Sequence, residues 1–397
     1  MKILFICRFL PYPQARTSGR LDQYHYMESL SQSHQISLIA FTEADEHAAA
    51  DSMKAICEKV IEVPYSEHTL SSRLWRLGWR ILLPKVYGRV FSLRYRSRLK
   101  QLLSQNSFDV VIVDGMMSQY GLQVTNAKRI LDEIDVYSDV AHNLYQLENR
   151  LLPRYYAGYD WLRTRVIEMR WADKYDGIFV RSQNDLEVMR KFLPDQNIAL
   201  LPPWFEGLEE LQSIPITRPA GNVLLFSGAM NIPPNIQAAV YFARQVFPIL
   251  RRRLPDVEFY IVGNSPSPQV KALSHIEGVT VTGEVESLRP YYEMSAVNVV
   301  PLFTGGGIIV KTLNGMASGR PTVATPLGNS GTGAKPGRDL LVLDDDPQQF
   351  LDVIYRLLVD KSEWQKYAQA GRQFVNTHYD WQKTMANLTD FLDYVTQ

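Results

Sequence analysis

Short apolar runs rich in β-branched residues alternate along this chain with longer stretches whose apolar positions recur at helical spacing. In the first half the runs fall at residues 2–7, 35–41, 59–63, 110–113, 129–134 and 177–181. In the second half they fall at 223–226, 258–262, 279–282, 297–301, 321–324 and 340–343. Strands separated by helix-length segments predict parallel sheets built from βαβ units, covered by helices on both faces. Each series is long enough for one doubly wound sheet, so the expected class is α/β with two Rossmann-like domains.

Between the two series, Pro202, Pro203, Gly207, Pro215, Pro219 and Gly221 concentrate chain breakers. Proline lacks an N–H and fixes its own φ, so this density predicts a hinge over 202–221. The flanking domains are then 1–201 and 222 onward. In open α/β sheets ligands gather where strands end, so the loops that follow strands are the ones to inspect. Two such domains facing one another are expected to form a cleft.

Length and charge narrow the options. The chain has 397 residues, 46% of them apolar, enough for more than one buried core. Its 42 basic and 42 acidic residues cancel, which argues against nucleic acid as a bulk partner. No apolar run approaches the roughly 18 residues of a membrane-spanning helix. The opening segment from Ile3 to Cys7 is too short for a secretory signal, and Arg8 ends it. Cys7 and Cys57 are the sole cysteines and lack zinc-binding spacing, so reduced buried thiols and a cytoplasmic location are expected.

Several segments carry chemistry. Gly305, Gly306 and Gly307 follow a strand and precede a helical pattern, which places free amides at a helix start and suits a diphosphate. A tight packing turn is the plain alternative. The run Asp132, Glu133, Ile134, Asp135, Val136, Tyr137, Ser138, Asp139 gathers acids at a strand's carboxyl end. Desolvated carboxylates there are candidates for a general base or for binding the hydroxyls of a ligand; capping of the next helix is the alternative. His142 is either a ligand contact or structural. From Arg73 to Lys100 there is no acid, and nine bases alternate with Trp75, Trp79, Tyr87, Phe91 and Tyr95. Such a face suits an anionic membrane surface; a solvated helix face packed by its tryptophans, or an RNA strip, are the alternatives.

Through Phe226-Ser227-Gly228, Ile261-Val262-Gly263, Gly305-Gly306-Gly307, Lys311 and Gly319-Arg320-Pro321, the second half from Phe226 to Phe350 resembles the nucleotide-sugar domain of family 4 of the retaining glycosyltransferases. The resemblance rests on Phe226-Ser227-Gly228 with Pro234-Asn235, on Pro255-Asp256-Val257 with Ile261-Val262-Gly263, and on Gly278-Val279 with Thr282-Gly283. It is fullest over Pro301-Leu302, Gly305-Gly306-Gly307, Lys311, Met316-Ala317, Gly319-Arg320-Pro321 and Val323-Ala324-Thr325. The first half is similar to a bacterial exopolysaccharide and surface-sorting subgroup through Pro11-Tyr12-Pro13, the acidic run at 132–138, and Glu168 before Asp176 and Ser182. Tyr379-Asp380-Trp381 resembles the family's motif before a last helix, here 379–397, that packs back on the first domain, which leaves 222–378 as the second.

The resemblance implies the GT-B fold, with a nucleotide-sugar donor, a glycan or lipid-linked acceptor, retention at the transferred carbon, and neither metal nor cofactor. It implies donor contacts from Gly19, Gly228, the three glycines, Lys311 and Asn314. Lys311 would meet phosphate or sugar, and a solvated helix lysine is the alternative. The loop 11–19 would reach the donor phosphates, with Arg16 and Arg20 adding charge, unless it is a plain surface loop. Asp135 matches the subgroup's aspartate, and the departing phosphate is expected to take the acceptor proton. Three departures stand out. Ala229-Met230-Asn231 follow Gly228 with no arginine or lysine nearby, where the family has both, and Gly306 and Asn314 stand where the family has two glutamates. A nucleotide-sugar epimerase and a non-catalytic nucleotide-sugar-binding subunit are therefore the rival readings.

Overall fold

The computed structural model describes residues 1–15, 17–43, 46–65, 83–148, 150–205, 207–305 and 307–397. It divides into two compact units, Met1–Trp204 with Trp381–Gln397, and Phe205–Asp380. The first unit holds β1 (Lys2–Phe9), β2 (Gln35–Thr42), β3 (Lys59–Pro64), β4 (Val110–Asp114), β5 (Lys128–Glu133), β6 (Gly177–Val180) and β7 (Ile198–Leu200). They pair in parallel in the order β3-β2-β1-β4-β5-β6-β7. Every other side chain of β1 and β4 points to one face. Leu4, Ile6, Val111 and Val113 meet Tyr95 and Leu99 of the helix Leu93–Gln105. Ile3, Phe5, Val110 and Ile112 meet Met27 and Leu30 of the helix Ser18–Ser31 and Leu388 and Leu392 of the helix Trp381–Thr396. Burial on both faces explains why these strands read as unbroken apolar runs. The short β7 was not expected from the sequence, because three half-buried residues carry no period.

The second unit holds β8 (Val223–Ser227), β9 (Glu258–Val262), β10 (Val279–Gly283), β11 (Val297–Val300), β12 (Thr322–Ala324) and β13 (Leu341–Val342), in the order β10-β9-β8-β11-β12-β13. The proline-rich stretch after Trp204 belongs to this unit. Phe205, Leu208, Leu211 and Ile214 enter its core, and the Arg372 guanidinium donates to the carbonyls of Gln212 and Ile214. A planar fork of donors thus satisfies backbone oxygens that the loop leaves without partners.

The basic-aromatic segment is corrected in part. Residues 73–82 lie outside the described residues. In the remainder, Tyr87 and Tyr95 are buried in the first unit rather than turned outward, and the Tyr95 hydroxyl donates to the carbonyls of Cys7 and Ile39. The core claims these rings because each buries a large apolar area, and for Tyr95 the hydroxyl also finds carbonyl acceptors. Arg94, Arg96, Arg98 and Lys100 remain exposed. No helix among the described residues is long and apolar enough to cross a membrane.

Candidate functional site

In each sheet the strand order reverses beside the first strand of the unit, between β1 and β4 and between β8 and β11. Loops diverge at such a point and leave a crevice beyond the strand ends. Each unit has a cavity among its loops there.

In the second unit β8, β9 and β10 lie side by side and end in Gly228, Gly263 and Gly283. Gly228 N–H donates to Val262 O at 2.9 Å, and Met230 N–H to Asn264 O at 2.9 Å, which holds two loops edge to edge. Gly263 has φ +149°, and a Cβ there would stand 1.8 Å from Gly228 O. Only glycine permits that approach. The resulting cavity of about 420 Å³ is lined by Gly228, Gly263, Asn264, Glu284, Ser287 and Asn314, among others.

Lys311 sits in the first turn of the helix Val310–Ala317, which follows β11. Its Nζ donates to Asn235 Oδ1 at 2.6 Å and stands 5.2 Å from the centre of the Phe226 ring. A Cβ on Gly228 would lie 3.2 Å from Lys311 Cε. The ammonium is therefore tucked beside the β8 turn, where the sequence otherwise lacks a base. Among the described residues no carboxylate pairs with it. Burial pushes its pKa down to about 8. Asn314, one turn further along, is buried and lines the cavity, and among the described residues its Oδ1 has no hydrogen-bond partner. An unpaired buried acceptor is costly unless a ligand donates to it. Gly305 and Gly307 form the loop ahead of this helix, and Gly306 lies outside the described residues. The structure thus brings Gly228, Lys311 and Asn314 to one strand-end region. Glu284 and Ser287 were not singled out in the sequence, since nothing in their local pattern separates them from ordinary loop residues.

In the first unit a cavity of about 790 Å³ is lined by Arg8, Tyr12, Gly19, Arg20, Glu46 and Asp114, among others. Arg20 donates to Leu10 O at 2.8 Å and pairs with Glu46, so its charge is already met. Arg16 lies outside the described residues. Arg8 was read in the sequence only as the end of a strand. Its Nη1 reaches the Met116 sulfur, its Nε is buried without a partner, and no carboxylate pairs with it among the described residues.

The acids of the 132–139 run separate. Asp132 and Glu133 are buried within the first unit. Asp132 pairs with Arg181 at 2.8 Å, and Arg181 with Asp22 at 3.3 Å. Asp135 is half-buried and makes no hydrogen bond or ion pair with described residues. It does not cap the next helix, because Glu168 accepts from Ser138 N–H and Asp185 from Val136 N–H. Burial, reinforced by Asp185 and Asp114, raises its pKa to about 6. His142 is not part of either cavity lining: its ring lies 4.4 Å from that of Trp161, and its Nε2 is 3.1 Å from Gln146 Nε2.

Residues 221–360 match the family described as glycosyl transferases group 1. A Klebsiella pneumoniae protein described as an uncharacterized 44.6 kDa protein in the cps region is 24% identical, with 98% of each chain covered. A GDP-mannose-dependent alpha-(1-6)-phosphatidylinositol monomannoside mannosyltransferase of Mycobacterium tuberculosis is 28% identical over 36% of this chain and 41% of its own. Among solved structures, Anabaena HepE in complex with UDP and glucose superposes with a TM-score of 0.63 at 12% identity, covering 99% of this chain and 100% of that one. The match to the glycosyl transferases group 1 family thus falls within the second unit, and the two-sheet architecture is that of the GT-B fold.

Proposed function

We propose that this chain transfers a sugar from a nucleoside-diphosphate sugar to a glycan or lipid-linked acceptor, with retention at the transferred carbon, in building a surface polysaccharide. The observation that carries the reading is Lys311, a partly buried cation that no described carboxylate pairs with, at the strand ends of the unit that matches the group 1 glycosyltransferase family. A diphosphate supplies the missing counter-charge. The relatives support the wider picture. One lies in a cps region, one uses GDP-mannose on a phosphatidylinositol mannoside, and a structural neighbour holds UDP and glucose.

In this reading the bond from the anomeric carbon to the phosphate oxygen breaks while the bond to the acceptor oxygen forms on the same face. The acceptor proton passes to the departing phosphate. Lys311 and the amides of the Gly305–Gly307 loop oppose the charge that grows on that group, an interaction strongest in the transition state. Asn314 accepts from the donor through its free Oδ1, and Gly228 lets phosphate approach the backbone. Asp135 accepts from an acceptor hydroxyl, with Gly19, Arg20 and Arg8 lining the first unit's cavity near its own strand ends.

Thermal unfolding with saturating UDP, GDP, ADP and CDP tests the donor site. Binding at a hundredfold excess over Kd stabilises by about 2.7 kcal/mol. For a unit of this size that raises Tm by about 5–10 °C with the preferred base. Unchanged melting with all four nucleotides would sink the reading. Calorimetric titration of Asn314→Glu and Asn314→Leu then locates the contact. Asn314→Glu tightens binding several-fold, because a charged acceptor adds about 1 kcal/mol over a neutral one. Asn314→Leu abolishes it.

A further inference from the structure

The long helix Leu151–Ala172 is built inside out. The residues it buries against the rest of the first unit are Thr164, Glu168 and Ala172. Its large apolar side chains face outward: Leu152, Tyr155, Tyr159, Leu162 and Val166 are all exposed, Leu152 by 84% and Tyr155 by 80%. Their 3-4-3-4 spacing aligns them in one stripe along the helix. The preceding helix, Tyr137–Leu147, packs alongside and adds exposed Val140 and Leu144. Most of the exposed large apolar side chains among the described residues belong to this helix pair. Isolated exposed leucines need no explanation, whereas a contiguous apolar stripe marks a surface that is covered in use.

The charges along the stripe select what covers it. The positions flanking the seam on either side are Leu151, Tyr156, Gly158, Arg163, Arg165 and Arg170, with no acid among them. If a second copy packed stripe to stripe, in either direction, arginines would face arginines where a helical pair needs opposite charges. Two guanidinium groups lie on aromatic rings beside the stripe, Arg163 at 5.0 Å from the Tyr159 centroid and Arg165 at 4.4 Å from that of Phe192. Arg165 also stands 4.0 Å from Asp139. An apolar stripe of leucine and tyrosine with an arginine fringe matches an anionic bilayer, where the rings occupy the headgroup level and the cations meet lipid phosphate.

We propose that the outer face of the helix pair 137–172 docks the protein onto an anionic lipid surface. This rests on the lipid-linked acceptor reading above for its purpose, although the surface itself is argued independently of the donor site. This face is distinct from the segment 73–100, of which Tyr87 and Tyr95 are buried.

Flotation of the full chain with phosphatidylcholine vesicles, with and without 30% phosphatidylglycerol, tests the proposal. The protein floats with the anionic vesicles at low salt and is released as salt rises. The variant Leu152→Asp/Tyr159→Asp stays behind, and Arg163→Gln/Arg170→Gln binds about fivefold more weakly for each arginine removed. Both variants keep the unmodified protein's melting temperature and its nucleotide-induced stabilisation, so failure at the donor site and failure at the lipid surface are read separately. Anionic vesicles that leave the unmodified chain unbound, or that bind Leu152→Asp/Tyr159→Asp equally well, overturn the proposal. So does a lipid-free dimer that Tyr159→Asp dissociates, because the covering partner is then a second copy.

Discussion

Replacing Lys311 by methionine separates binding from folding, because the two respond with opposite sign. The ammonium is held by one hydrogen bond to Asn235 Oδ1, and burial lowers its pKa from 10.5 to about 8. A base whose folded pKa lies below its unfolded value binds fewer protons when folded between those two pH values. Stability therefore rises with pH from about 8 to about 10.5, and below about 8 the full penalty applies. That penalty is at most about 3 kcal/mol, and partial solvent access reduces it. Methionine removes it, at the loss of a hydrogen bond of about 1 kcal/mol and with the Asn235 carbonyl left unpaired. The net gain is about 1–2 kcal/mol, or about 2–8 °C in Tm for a unit of this size. The ligand response moves the other way. A diphosphate pairs with the ammonium and raises its pKa, so nucleotide affinity holds below pH 8 and falls as pH rises beyond it. Differential scanning fluorimetry of both proteins at pH 7 and pH 9.5, with and without the preferred nucleotide, measures all four quantities. Lys311→Met melts higher without ligand at pH 7, loses most of this advantage at high pH, and shows little nucleotide stabilisation. If Lys311→Met melts lower without ligand yet gains as much from nucleotide as the unmodified protein, the lysine is a structural hydrogen-bond donor and the argument from its missing counter-charge is wrong.

Two further outcomes follow from the same geometry. Gly263→Ala places a methyl 1.8 Å from Gly228 O and forces the β8 and β9 turns apart; urea unfolding reads a loss of about 3 kcal/mol or more, and calorimetry a loss of nucleotide binding, whereas Gly283→Ala, with open space around its Cβ, costs only the strain of its positive φ, about 1–2 kcal/mol. Asp135 is protonated below about pH 6 by burial and its acidic neighbours, so sugar transfer rises with pH through that value; Asp135→Asn removes the rise along with most of the rate, and an unaltered pH profile in that variant excludes the carboxylate from the reaction.

The alternation of buried strands with helical segments was legible in the sequence because each strand carries its own period and composition. The runs at 2–7, 110–113, 223–226 and 297–301 announce central strands without any neighbour being known. The glycines at the ends of β8, β9 and β10 were legible through the family resemblance, and at Gly263 the structure supplies the reason, since a Cβ there would meet Gly228 O. Side-chain partnerships were not. Nothing near Asp132 in the chain indicates that Arg181 takes it, and nothing near Val136 indicates that Asp185 and Glu168 serve the start of the following helix and leave Asp135 without a partner among the described residues. Lys311 was visible as a lysine at a helix start, but its lack of a counter-ion depends on the packing of Phe226, Gly228 and Asn235 around it. The same holds for the surface. The run 73–100 and the helix Leu151–Ala172 both mix bases with aromatic residues, and periodicity does not say which face of a helix the sheet covers. That is decided by which side fits the sheet: Tyr87 and Tyr95 turn inward, Thr164 and Glu168 are buried, and the leucines and tyrosines of one helix are left outside.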